Sequence, residues 1–132
     1  MEIVVDASIL IAVIANEAEK DKLVALTKET ELIAPLSVHW EMGNAFSSLL
    51  KRKRVTIEQA LQAIEIYLQI PVRFVEVELT DSLELANEFG IYAYDAYLLR
   101  CAEKYRLPLL TLDSKLIQVA KEKKIQVLEV SE

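Results

Sequence analysis

Four carboxylates stand at positions where they could do chemistry together. Asp6 closes the β-branched run of "EIVVDAS", Glu41 sits within "PLSVHWEMGNA", Asp95 within "AYDAYLL" and Asp113 within "TLDSKL". Carboxylates brought to one place repel one another, and the grouping becomes favourable when a hard divalent cation neutralises it. The chain has one His and one Cys, so an oxygen-only ligand set points to Mg²⁺ or Mn²⁺ rather than zinc.

Each acid also has a plainer reading. Asp is among the best N-cap residues, and Asp6, Asp95 and Asp113 each precede a predicted helix, where a cap contributes about 1 kcal/mol. Each is therefore either a cap or a ligand on sequence grounds. Glu41 is different, because with Ser37 as N-cap the capping-box partner is Trp40 and Glu41 has no such duty. Helical periodicity puts Val38, Met42, Ala45 or Phe46, and Leu49 on the buried stripe, with Glu41, Asn44 and Ser48 on another face. Asn44 either joins Glu41 or binds water. His39 falls off the Glu41 face and reads as a packing residue, and Cys101 reads as core.

The elements that would position these residues alternate. Predicted strands at 2–6, 31–35, 72–77, 107–112 and 125–130 are separated by predicted helices near 8–15, 17–28, 37–52, 56–68, 81–89, 95–105 and 114–123. This spacing predicts an α/β fold with a parallel sheet, and one domain over 1–132. In such a fold the strand C-termini and helix N-termini share one sheet edge, where ligands bind, so the four acids are expected to converge there. Thr56 with Gln59 and Asp81 with Glu84 read as capping boxes. The helix from 56 carries Ile57, Ala60, Leu61, Ile64 and Leu68 on one face, with Ala63, Ile66 and Tyr67 widening the apolar surface toward an interface.

Composition bounds the class. The 132 residues are 53% apolar with only 2 Gly and 3 Pro, which predicts mostly regular structure around one core. Mean hydropathy is +0.24, high for so small a chain. A lone cysteine suits a reducing compartment, and the apolar run "ILIAVIA" is too short for a membrane span and lacks the basic flank of a signal peptide, so a soluble cytoplasmic protein is expected. The net charge of −6 excludes a generic nucleic-acid-coating protein, although an enzyme whose bound metal supplies positive charge remains compatible.

Taken in order, "VVDAS", "EMGNA", "YDAYLL" and "LPLLTLDSKL" resemble the motifs of PIN-domain ribonucleases, most of all the compact VapC-like toxins of VapBC-type toxin–antitoxin pairs. The resemblance implies a three-layer sandwich with a five-stranded parallel sheet of order 3-2-1-4-5 and about seven flanking helices. It implies a metal-dependent endoribonuclease whose acidic quartet is Asp6, Glu41, Asp95 and Asp113, all four counted as catalytic and as metal ligands for one or two Mg²⁺ or Mn²⁺. Asp6 with Asp95 or Asp113 would hold the principal ion, and Glu41 would orient the attacking water or hold a second. Ser8, Thr111 and Asn44 match supporting polar positions. Arg52, Lys53, Arg100 and Lys115 are candidate phosphate contacts. Relatives often carry a further acid after the last motif, where Ser114, Lys115, Leu116 and Ile117 stand here. Implied partners are an RNA substrate, a small VapB-like antitoxin and a second copy in a homodimer, with no membrane. Two competing readings are a catalytically silent module of the same fold and a receiver-type phospho-acceptor domain. Receivers pair acids after strand one and place a Lys after the last strand, whereas here one acid follows strand one and Val130, Ser131 and Glu132 close the chain.

Overall fold

A computed structural model describes residues 1–15, 21, 25, 28 and 30–129. Among these the elements run β1 (Glu2–Val5), α1 (Ala7–Ile14), β2 (Glu31–Pro35), α2 (Ser37–Lys51), α3 (Ile57–Leu68), β3 (Val72–Val75), α4 (Leu79–Phe89), α5 (Ala93–Tyr105), β4 (Leu109–Leu110) and α6 (Ser114–Glu122). The helix expected near 17–28 lies largely outside the described residues.

The sheet is parallel, in the order β3-β2-β1-β4. β1 is its centre because Ile3, Val4 and Val5 are fully buried, as an apolar run without alternation requires when a strand is covered on both faces. Ile33, Ala34, Leu109 and Leu110 continue this core on the neighbouring strands. On α2 the buried side chains are Val38, Met42 and Phe46, the stripe expected from periodicity. Helix α5 lies across β1 and β2 and carries α4 on its flank, while α1 packs against α2 and α3.

Four strands form where five were expected. The segment after α6 contributes a single parallel bridge, Leu109 to Val127, in which the Leu109 N–H donates to the Gln126 carbonyl and the Leu128 N–H to the Leu109 carbonyl, each at 2.9 Å. β4 meets that segment at Leu109 because Pro108, whose carbonyl accepts the Val4 N–H at 2.9 Å, faces β1 instead.

Two local expectations change. Thr56 and Gln59 do form a reciprocal capping box, but α4 begins at Leu79 behind Glu78, so Asp81 lies inside the first turn and caps nothing. On α3 the buried residues are Ala60 and Tyr67, whereas Ile57, Leu61, Ile66 and Leu68 are exposed. The helix therefore turns Ala60 and Tyr67 inward, with Ala63 and Ile64 partly buried against the core, and leaves Ile57, Leu61, Ile66 and Leu68 on the surface.

Candidate active site

In the order β3-β2-β1-β4 the chain builds outward from β1 to one side and then returns to pair β4 on the other. The crevice outside the strand C-termini at this reversal is where open α/β sheets bind ligands. Asp6 and Asp113 flank it.

Asp6 follows β1 directly, with extended backbone, and caps α1 by accepting the Ile9 N–H on Oδ1 at 3.3 Å. The same oxygen accepts the Ser8 hydroxyl at 2.6 Å, and Oδ2 accepts the Thr111 hydroxyl. Those hydroxyls also fix the opposite loop, for Ser8 Oγ accepts the Leu112 N–H at 3.0 Å and Thr111 Oγ1 accepts the Asp113 N–H at 3.1 Å. Asp6 is thus held by three hydrogen bonds from two segments of the chain while being almost fully buried. Burial pushes its carboxyl above the usual range, the three hydrogen bonds pull it back, and Asp113 pushes it up again.

Asp113 caps α6, its Oδ1 accepting from Lys115 N at 2.9 Å and Leu116 N at 3.2 Å. Asp95 does not cap. Helix α5 starts two residues earlier than expected, with Tyr92 as N-cap and no side-chain capping bond, which leaves Asp95 as the third helical residue with its carboxylate uncommitted to the helix end. Its pKa is raised by burial first, then by Asp113 and Asp6, against a lowering pull from Lys115.

Glu41 lies on the second turn of α2. One oxygen, Oε1, is sealed from solvent and has no hydrogen-bond partner. Burial, then the charges of Asp6 and Asp95, push its carboxyl up to about 7. Each of the four acids therefore lies within the field of at least two others: Asp6 with Asp113, Glu41 with Asp6 and Asp95, and Asp95 with Asp6 and Asp113. Among the described residues no three His, Cys, Asp or Glu come together closely enough to hold a metal ion between them, so the donor set suits only a cation that keeps several waters and takes one or two carboxylates directly, as Mg²⁺ does. The orphaned buried oxygen of Glu41 and the oxygen-only donor set fit the same kind of ion.

The remaining candidates separate. Asn44, one turn past Glu41, stands on the exposed rim and donates to the Tyr94 hydroxyl at 3.5 Å. Lys115 is exposed and close enough to Asp95 to lower its pKa. Arg100 is not a free cation, because its guanidinium contacts Glu78 at 2.9 Å, Asp81 at 3.1 Å and Glu103 at 3.0 Å. Arg52 and Lys53 follow the C-terminal end of α2, eleven and twelve residues beyond Glu41 and so roughly 16–18 Å along the axis from it. His39 packs among Trp40, Tyr67 and Phe74 and hydrogen-bonds the Tyr67 hydroxyl at 2.9 Å. Cys101 is buried core. Tyr92, Tyr94 and Tyr97 of "IYAYDAY" bracket Asp95, and none of them was singled out from the sequence.

The PIN domain family model matches residues 3–122 of the chain. Among solved structures the fold is similar to PAE2754 from Pyrobaculum aerophilum, at 27% identity and a TM-score of 0.69 over 98% of this chain and 91% of that one. It is also similar to VapBC2 from Rickettsia felis bound to a promoter DNA fragment, at 17% identity and a TM-score of 0.69 over 98% of both chains. A third is VapC20 from Mycobacterium tuberculosis, a sarcin-ricin loop cleaving toxin, at 18% identity and a TM-score of 0.63 over 88% of this chain and 93% of that one. No curated protein sequence matches the chain.

Proposed function

The chain belongs to the PIN domain family, and from that premise we propose that it is a metal-dependent endoribonuclease, the toxin of a VapBC-type toxin–antitoxin pair. The observation that carries this reading is the set of four carboxylates, drawn from four distant segments, that share one electrostatic field at the C-terminal edge of β1 and β4. Only two of them have a capping duty that would explain them otherwise.

Asp6, Asp95 and Asp113 are the residues that would hold Mg²⁺ or Mn²⁺, with Glu41 completing the set. A bound ion of this kind supplies positive charge against the phosphodiester and lowers the pKa of a water. The chain's own work is positioning. Ser8 and Thr111 fix both oxygens of Asp6, so that carboxylate meets its ligand with its rotamer already set. Glu41, whose carboxyl burial and the charges of Asp6 and Asp95 push up to about 7 without metal, would orient the attacking water or hold a second ion. Cleavage leaves a 5′-phosphate and a 3′-hydroxyl. Lys115, beside Asp95, is the cation placed to meet the substrate's phosphates.

The partner reading is supported by the VapBC2 neighbour, a toxin–antitoxin complex, and by the exposed aliphatic face of α3, where Ile57, Leu61 and Leu68 are each at least half exposed. Such a face suits a small antitoxin or a second copy of the chain. Among the described residues no helix is long and apolar enough to cross a membrane.

The test is cleavage of a labelled RNA by the purified chain across a Mg²⁺ and Mn²⁺ titration, with and without chelator. Wild type is expected to cleave only with metal, and Asp6→Asn to lose cleavage while keeping the wild-type circular dichroism. Full activity of Asp6→Asn would refute the assignment.

A further inference from the structure

We infer that Tyr92 and Tyr94, leading to Tyr97 and the recess beside it, form a base-stacking platform that seats unpaired nucleotides of the RNA next to the acidic site. This rests on the nuclease reading above and adds to it the side chains that seat the bases.

Three tyrosines fall within six residues around Asp95. Tyr92, the N-cap of α5, is 88% exposed, and Tyr94 is 41% exposed. A tyrosine ring that served the core would be buried with only its hydroxyl in water, and Tyr92 is the reverse. Tyr94 and Tyr97 stand edge to face with centroids 6.2 Å apart, and Asn44 reaches from α2 to the Tyr94 hydroxyl. The Tyr94 ring therefore sits between the helix that carries Glu41 and the helix that carries Asp95. Behind it Tyr97 walls a recess of about 280 Å³ with Pro35, Leu36, Val75, Val77 and Leu79, where Ser37 and Glu76 are the polar members of the lining. That volume lies just below the range of pockets for drug-sized ligands, and its apolar walls with one aromatic side suit a single planar base.

Charge favours the same conclusion. A protein that grips RNA through phosphates needs several free cations at the site. Among the described residues Arg100 is neutralised by three carboxylates, Arg52 and Lys53 are a helix length away, and Lys115 is the cation that shares the field of the acids. Stacking on aromatic rings adds affinity that needs no cation, it tolerates any base, and it is open only to bases not already paired in a helix.

The experiment compares wild type, Tyr92→Ala, Tyr94→Leu and Tyr94→Phe on a single-stranded oligoribonucleotide carrying 2-aminopurine and on the same sequence in duplex. Wild type with Mg²⁺ is expected to quench 2-aminopurine on binding and to cut the single strand in preference to the duplex. Tyr92→Ala and Tyr94→Leu are each expected to weaken quenching and raise KM at least about five-fold with little change in kcat, and Tyr94→Phe, which keeps the ring, to recover most of the loss. Unchanged KM and quenching in both ring-removed variants overturns the platform, as does equal cleavage of the duplex. Light scattering that shows a dimer dissociating in these variants, with KM per subunit unchanged, overturns it in favour of a contact between copies. Quenching that depends on the rings in a wild type that cuts no RNA supports the platform and sinks the nuclease reading instead.

Discussion

The Thr111 hydroxyl donates to Asp6 Oδ2 across 105 positions of sequence. The same hydroxyl oxygen accepts the Asp113 N–H at 3.1 Å, so one buried side chain fixes an acid at the end of β1 and the backbone of an acid after β4.

Thr111→Val keeps the shape of that side chain and removes both bonds. Thr111 is 1% exposed, so the Asp6 oxygen and the Asp113 N–H lose a partner in a dry setting, and the expected cost is about 1–3 kcal/mol in urea unfolding. The bond also lowers the Asp6 pKa, so its loss should move the acid limb of the pH–rate profile to higher pH. An unmoved limb with lowered stability would mean that Thr111 serves packing alone.

Glu41 makes stability depend on pH. Its carboxyl rises from 4.5 to about 7 on folding, so the folded state holds the proton more tightly. Its contribution is then fully present below about pH 4.5 and is lost as pH rises toward 7. Without divalent metal, Tm should fall over that window, and Glu41→Gln should flatten the fall. Added Mg²⁺ should raise Tm more at pH 8 than at pH 5, because it meets the ionised form. A Tm profile identical in wild type and Glu41→Gln would show that the carboxyl is not held as described.

Much of this was legible in the chain. The run Ile3–Val5 ending on Asp6 announces a central strand that delivers an acid to the sheet edge, and the Val38, Met42, Phe46 spacing sets how α2 is rotated. Features decided by contacts between elements were not legible. Helix α5 begins at Ala93 rather than 95 because Tyr92 supplies the extended residue at its start, and no local signal marks that. Arg100 reads as a free cation until α4 packs against α5 and brings Glu78 and Asp81 to it. On α3, Ala60 and Tyr67 face the core while Ile57, Leu61, Ile66 and Leu68 are exposed, on the helix that packs against α1 and α2. Hydrophobic period alone does not choose between two apolar faces.

Asp113 has two roles that substitution can separate. It caps α6 through Lys115 N and Leu116 N and it raises the pKa of both Asp6 and Asp95. Serine caps as well as aspartate but carries no charge. Asp113→Ser should therefore unfold within about 0.5 kcal/mol of wild type and lose metal-dependent cleavage, while Asp113→Ala should lose cleavage and about 1 kcal/mol besides. Equal activity in wild type and Asp113→Ser would remove Asp113 from the site and leave it a cap.

Arg100 and Lys115 carry the same charge beside different acids and should fail in different ways. Arg100 holds Glu78, Asp81 and Glu103 together, and Lys104 adds a second cation to Glu78 at 2.8 Å. The two cations hold the Glu78 carboxyl down at about 2. Removing the guanidinium in Arg100→Ala leaves those carboxylates facing one another between α4 and α5. The network is partly exposed and screened, so the expected loss is moderate, a fall in Tm of about 4 °C that grows smaller in high salt. The KM for RNA of the folded fraction should not move. Lys115 has no carboxylate within salt-bridge distance among the described residues, and its charge acts on Asp95 through space. Lys115→Ala should leave Tm near wild type, raise KM, and weaken the salt dependence of KM by the share of one phosphate contact. If instead Arg100→Ala raises KM at unchanged Tm, the guanidinium leaves its three partners to meet the substrate, and the assignment of the two cations is reversed.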